Sequence, residues 1–223
     1  MDFRDFIQLE EDIQQIAVLS RKVPEEHALI RLILSTLATA DELENLVKRD
    51  IRKLEKDGLS YYYVRLTSAG RTRTVPIDAA TYAVLMEISK NKSGRQRVFS
   101  LSSEDMDEVV RKYSPANKKY DVNSLRNAVS KILRDCMFFD DEDYVDDLIR
   151  GENIQKVTDF LYDFHPMFSG MWDLDDDDVA EDFIETFSRR TGISDPEKIA
   201  REIGEDVERV KELMGEMPEQ NKT

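Results

Sequence analysis

The sequence predicts a mainly α-helical protein that carries one small antiparallel β-sheet. Over most of the 223 residues apolar positions recur every three to four residues, which places them on one face of a helix. A single stretch, 56–78, is instead rich in β-branched and aromatic residues, with Gly58 and Ser68 to Gly70 as turn signals. At this length one large domain, or one domain with an appendage, can bury a substantial core.

Residues 3–19 read as a helix with Phe6, Leu9, Ile13 and Ile16 inward. Pro24 suits a first helical turn and opens a second helix, PEEHALIRLILSTL, which is apolar over most of its surface and therefore central. His27, near its polar start, is expected to be solvated. In 37–51, Asp41 is expected to cap a third helix with Leu43, Leu46 and Val47 inward. The β-rich stretch gives two or three short strands, roughly 60–67 and 71–76, with Arg65, Arg71 and Arg73 presented together by the second hairpin.

Residues 79–88 return to helix, followed by the basic loop KNKSGRQR, a short extended VFSL, and a helix over 103–112 capped near Ser103. The basic loop SPANKKY leads into 121–135, where Val122, Leu125, Val129, Ile132 and Leu133 share one face. Arg126 stands at the edge of that face with Asn123 one turn earlier. Further on, 177–190 form an amphipathic helix with Val179, Phe183, Ile184 and Phe187 inward. Residues 196–215 read as a short helix-turn-helix about Gly204, and MPEQNKT as a frayed end.

Composition narrows the functional classes. With 40% hydrophobic and 35% charged residues, no apolar run of membrane-spanning length and no secretory-type start, a cytoplasmic location is expected. Cys136 is the one cysteine and cannot form an internal disulfide; buried packing is its expected role. One cysteine and two histidines make a zinc site unexpected, and no cofactor is implied. The acidic clusters FFDDEDYVDD and WDLDDDD lack the spacing of a calcium-binding loop and read as solvated surface. Net charge is −15, but residues 1–135 carry +2 and 136–223 carry −17. A mildly basic body joined to a strongly acidic C-terminal region leaves nucleic-acid binding open.

Four local motifs, in order, resemble the catalytic domain of the tyrosine recombinases, the phage-integrase family, over roughly residues 22–162. TLATADELENLVKRDI (36–51) resembles the helix of the form T-G-L-R, E-L, L, D-I. RTRTVPID resembles the strand ending R-x-V-P-L, VFSLSSEDMDEVVRK the V-F and helix segment, and NSLRNAVSKIL the H-x-L-R helix. The resemblance implies a recombinase-like region over 1–162 and a separate acidic helical region over 163–223.

In that family a tyrosine attacks a DNA phosphodiester, with two arginines, histidines and a lysine supporting the charge and proton transfers. Here the first arginine falls on Thr39, the lysine near Ser68, the first histidine on Asn123 and the second on Gly151. The tyrosine falls on Phe160, with Tyr162 and Tyr144 as candidates in shifted registers, and Arg126 alone matches as second arginine. Thr39, Asn123 and Arg126 thus read as a remnant without catalysis.

The resemblance implies salt-sensitive binding of double-stranded DNA through Arg65, Arg71, Arg73, Arg95, Arg97, Lys118, Lys119 and Arg126, in a regulatory or architectural role with nucleoid association. The alternatives are a protein-interaction module, in which the acidic C-terminal region masks the basic cleft or contacts a partner or second copy, and a regulator working through the C-terminal helix-turn-helix. The would-be recognition helix of the latter carries Glu208 and Glu212, which repel phosphates.

Overall fold

The computed structural model describes residues 3–135, 143–159, 161 and 174–216. Cys136, Phe160, Tyr162, parts of both acidic clusters and the terminal 217–223 lie outside the described residues.

Helix α1 (Phe3–Ser20) packs on α2 (Pro24–Thr36), whose Leu29, Ile30, Leu32 and Ile33 are wholly buried. The central position expected of this apolar helix follows directly. His27 is half-buried rather than solvated: its Nδ1 lies 3.0 Å from Ser20 Oγ. Burial, then the charges of Arg31 and Arg21, lower its pKa to about 4.

Helix α2 ends with Leu37 in the left-handed region at φ 53°. Two residues later Thr39, not Asp41, caps α3 (Ala40–Glu44). The Glu42 N–H donates to Thr39 Oγ1 at 3.2 Å and the Thr39 N–H donates to Glu42 Oε2 at 2.8 Å, a reciprocal capping box. The helix is short because the chain leaves it at Asn45 for a 3-10 turn (Lys48–Asp50) and then a strand, β1 (Ile51–Lys56). That strand was not legible: as an edge strand with five exposed positions, IRKLEK carries no apolar alternation.

Strands β1, β2 (Leu59–Ser68) and β3 (Arg71–Ile77) form one antiparallel sheet in that order. The two hairpins turn at Asp57-Gly58 and Ala69-Gly70, with both central residues at positive φ, the form that suits two-residue connections. Val64, Leu66, Val75 and Ile77 face the core. The register sets Leu66 opposite Arg73 and Arg65 opposite Thr74. Directly paired residues share a face and neighbours alternate, so Arg65 and Arg73 lie on opposite faces, contrary to the expectation that the hairpin groups them.

Asp78 caps α4 (Ala79–Ile88) and pairs with Arg31 of α2 at 3.0 Å. Ser102 and Asp105 form the capping box of α5 (Ser103–Tyr113), one residue before the expected cap. Then follow α6 (Val122–Asp135), α7 (Tyr144–Arg150), helical residues 154–159, α8 (Asp177–Thr191), α9 (Pro196–Ile203) and α10 (Val207–Glu216).

The apolar core is continuous from Leu9 to Leu213, because α8 and α9 lay Phe183, Phe187, Ile199 and Ile203 against the side of the molecule formed by α1. Asp12 of α1 is 1% exposed. A carboxylate so buried needs partners, and it has them in Arg190, in the Tyr120 hydroxyl at 2.7 Å and in Lys118 at 3.4 Å. Among the described residues no helix is long and apolar enough to cross a membrane.

Candidate nucleic-acid interface

The positions that the sequence marks as remnants converge on the turn between α2 and α3. Leu37 leaves its carbonyl without a helical partner at the end of α2, and two arginines take it. Arg126 Nε of α6 donates to Leu37 O at 2.7 Å, and Arg73 Nη2 of β3 donates to the same oxygen at 3.3 Å. Arg126 Nη1 also donates to Asn123 Oδ1 at 3.2 Å, one turn back on α6. The Arg126 side chain is thereby fixed at its Nε end while its outer edge stays beside Asn123, at the surface. Burial lowers the Arg126 pKa, Glu42 acts against this and Arg73 with it; a guanidinium remains charged in such surroundings.

Arg73 is not available to a phosphate. It forms a two-point pair with Glu42, Nε to Oε1 at 2.7 Å and Nη2 to Oε2 at 2.9 Å, and donates from Nη1 to Thr36 O at 3.0 Å and Leu148 O at 2.7 Å. Its side chain is 8% exposed. Glu42 responds accordingly. Burial raises its pKa, but the Arg73 hydrogen bonds and charge, the Thr39 N–H and Arg126 outweigh that and hold it below the ordinary value. The sequence-based assignment of Arg73 to DNA contact is thus corrected: it ties α2, α3, β3 and α7 together.

Thr39 contributes its hydroxyl to the capping box and lines a small cavity of about 220 Å³ with Ser68, Thr72, Arg71 and Arg150, over the Glu42–Arg73 pair. Ser68 Oγ donates to Asp41 at its rim. Gly151 ends α7 at φ 69°, and a Cβ there would stand 2.6 Å from Arg73 Cβ. With this backbone, position 151 admits no side chain, so no histidine can occupy it. Tyr144, one of the shifted-register candidates, is buried at 5% exposure, and burial raises its phenol pKa.

The remaining cations divide by position. Arg71 is exposed at the hairpin tip beside the cavity, and Arg97 pairs with Glu44 of α3 at 3.1 Å, so both flank α3. Arg95 is exposed in the same loop as Arg97, which the backbone pins to the 3-10 turn through Lys48 N to Gln96 O at 3.1 Å and Arg49 N to Gly94 O at 3.0 Å. Arg65 lies on the outer sheet face, held by Asp50 at 2.6 Å.

Lys118 lies elsewhere. With Ser124, Ala128 and Lys131 it lines a groove of about 410 Å³ between α1 and α6. At about 100° per residue, Ser124, Ala128 and Lys131 are roughly 150° around α6 from Arg126. One cleft lined by all eight expected residues is therefore not formed. Lys119 is exposed next to Lys118. Residues at the site that sequence reasoning passed over are Glu42 and Arg150; only Glu42 had a signal, as the acid three residues after Thr39.

In the C-terminal region, Arg209 is bound to Glu205 at 3.2 Å and Asp177 at 2.7 Å, and Lys211 to Glu208 at 2.7 Å. The cations of α10 are thus paired to carboxylates of α8 and of α10 and its preceding turn. Among the described residues no ion pair joins residues 174–216 to Arg65, Arg71, Arg95, Arg97 or Arg126.

No family model matches the chain. A protein of Archaeoglobus fulgidus, described as uncharacterized, is 40% identical over 210 residues, spanning 94% of this chain and 93% of that protein. Two solved structures of XerH site-specific recombinase bound to difH substrate are similar to this chain. The pre-cleavage complex gives a TM-score of 0.47 at 17% identity over 71% of this chain, and the post-cleavage complex on a palindromic substrate gives 0.46 at 16% over 77%. The chain spans about half the length of those recombinases, 48% and 52%.

Proposed function

The chain belongs to one family with the uncharacterized Archaeoglobus fulgidus protein, and for it we propose duplex-DNA binding by a recombinase-like domain that does not cut the strand. The observation that carries this reading is the seating of Arg126. Its Nε is committed to Leu37 O while its outer edge stays at the surface with Asn123. A guanidinium fixed in this way meets a phosphate with little further loss of freedom. Arg71, exposed at the hairpin tip, adds positive charge beside the cavity at Thr39, and the motif resemblance over 22–162 supplies the choice of DNA as ligand.

The proposed absence of cleavage rests on the same region. Thr39 has no charge to offer, the lysine position falls near the neutral Ser68, Asn123 stands in for a histidine and Gly151 has no room for one. Loss of one such electrostatic contact costs on the order of 10²–10³ in rate, and several are missing together. Regulatory or architectural occupancy of DNA is the role that this reading gives the chain. Titration of a labelled duplex at low salt, beside a nicking assay on supercoiled plasmid, tests both halves. Duplex binding without nicking is expected; nicking, or no binding at any salt, contradicts the reading.

A second reading, a protein-interaction surface, is favoured by one observation: α8 and the turn before it expose Asp175, Asp176, Asp177, Asp178 and Asp182 on the side away from the core. Such a surface suits a basic protein partner or a second copy. Pull-down with a basic partner surface lost on charge reversal at Asp178 and Asp182 would support it.

A further inference from the structure

The three-stranded sheet has a second face that the duplex reading does not use. Core-facing positions alternate with outward ones, so Tyr61 and Tyr63 of β2 point away from the buried Val64 and Leu66, whereas Tyr62 packs on Tyr82 of α4 at 4.4 Å between ring centroids. In the register of β1 with β2, Leu54 stands beside Tyr61, Arg52 beside Tyr63 and Lys56 beside Leu59. Leu54 and Leu59 are 53% and 60% exposed, the two largest values for large hydrophobic residues among the described residues, and both tyrosines are partly exposed.

Charge separates this face from the rest of the molecule. In a chain of net charge −15, the outward positions of the three strands carry Arg52, Lys56 and Arg65 and no carboxylate. Arg65 is oriented by Asp50, while Arg52 and Lys56 are exposed and have no ion pair among the described residues. Aromatic rings two residues apart on a strand, standing about 7 Å apart at ~3.4 Å rise per residue and bordered by cations, form a stacking platform for unpaired bases with a track for phosphates. A duplex cannot use such rings, because its bases are already stacked on one another.

We propose that the outer face of the sheet binds single-stranded DNA, with bases stacked on Tyr61 and Tyr63 and phosphates on Arg52 and Lys56. The choice of DNA over RNA rests on the duplex-binding reading above: the same face runs through Thr67 and Thr72 to the hairpin tip, where Arg71 borders the cavity at Thr39. Arg71, paired with Ser68, stands on the opposite face, so a strand leaving a duplex at that tip would pass round the hairpin end to reach the platform. The platform itself stands on its own geometry.

The test is fluorescence anisotropy with the full chain and three probes of equal length: oligo-dT, oligo-U and a blunt duplex. The variants are Tyr61→Ala with Tyr63→Ala, the milder Tyr61→Leu with Tyr63→Leu that keeps the apolar surface, and Arg126→Ala. Circular dichroism verifies folding. Oligo-dT binding is expected to weaken roughly tenfold or more in the alanine pair and several-fold in the leucine pair, while Arg126→Ala weakens the duplex and spares oligo-dT. Tyrosine-dependent oligo-dT binding without duplex binding would sink the duplex reading and leave the platform standing. The proposal is overturned by no oligo-dT binding at low salt, by binding indifferent to both tyrosine pairs, by preference for oligo-U, or by a dimer that Leu54→Glu dissolves, which would assign the face to a second copy.

Discussion

Arg73 and Arg126 donate to one carbonyl oxygen, that of Leu37, at 3.3 Å and 2.7 Å. The two arginines come from β3 and α6 and would repel each other across so short a gap. Glu42, paired at two points with Arg73, offsets that repulsion. The first consequence concerns stability. Arg73→Ala leaves the buried Glu42 carboxylate without its guanidinium and removes the arginine donor from the Thr36 and Leu148 carbonyls, while Leu37 O keeps Arg126, and is expected to cost about 3–5 kcal/mol. The double variant Arg73→Met with Glu42→Leu should recover most of this, as measured by urea denaturation. An Arg73→Ala loss under about 1 kcal/mol would mean that the pair is exposed in solution.

Gly151→Ala tests the contact that closes the remnant site. The left-handed backbone at φ 69° and the 2.6 Å approach to Arg73 Cβ act together, so the loss should exceed about 1 kcal/mol, seen as a lower melting temperature. Gly192, with φ 73° and open space around its Cβ position, is the comparison. Alanine there should cost less than at Gly151.

Thr39→Ala removes half of a capping box and should cost about 1 kcal/mol while leaving duplex affinity unchanged. Equal affinity with lower stability would place Thr39 in folding alone; a large loss of affinity would place its hydroxyl on the ligand.

His27 gives a pH dependence with a defined sign. Its folded pKa is lowered to about 4 from the ordinary 6.5. Between those values the unfolded chain binds more protons than the folded one, so stability rises with pH across that window. The contribution is complete above 6.5 and is lost as pH falls towards 4. Denaturation midpoints of the wild type and His27→Gln, measured from pH 7 to 4.5, should converge as pH falls. Parallel curves would contradict the assignment.

Much of the helical scaffold was legible because amphipathic spacing survives in a single sequence: α1, α2, α4, α5, α6 and the three C-terminal helices fall within a residue or two of expectation. Strand β1 was not, since an edge strand buries almost nothing and IRKLEK shows no alternation. The site was half legible. Arg126 and Asn123 meet as their spacing on one helix requires, but the fate of Arg73 depends on pairing parity in β3 and on Glu42, 31 residues away. Lys118 is grouped with Arg126 by the family resemblance, but it lies beside Ser124, Ala128 and Lys131, on a side of α6 turned away from Arg126.

The central claim is that Arg126 holds a phosphate of duplex DNA. It is tested most directly by the salt dependence of duplex binding in the wild type, Arg126→Ala and Arg71→Ala; the last is exposed and without an ion pair among the described residues, so its loss leaves the fold intact. The account predicts a linear fall of log K with log salt, with each variant weakening binding across duplex sequences and lowering the slope by about 1. A wild-type slope near zero, or slopes identical in all three proteins, would contradict it.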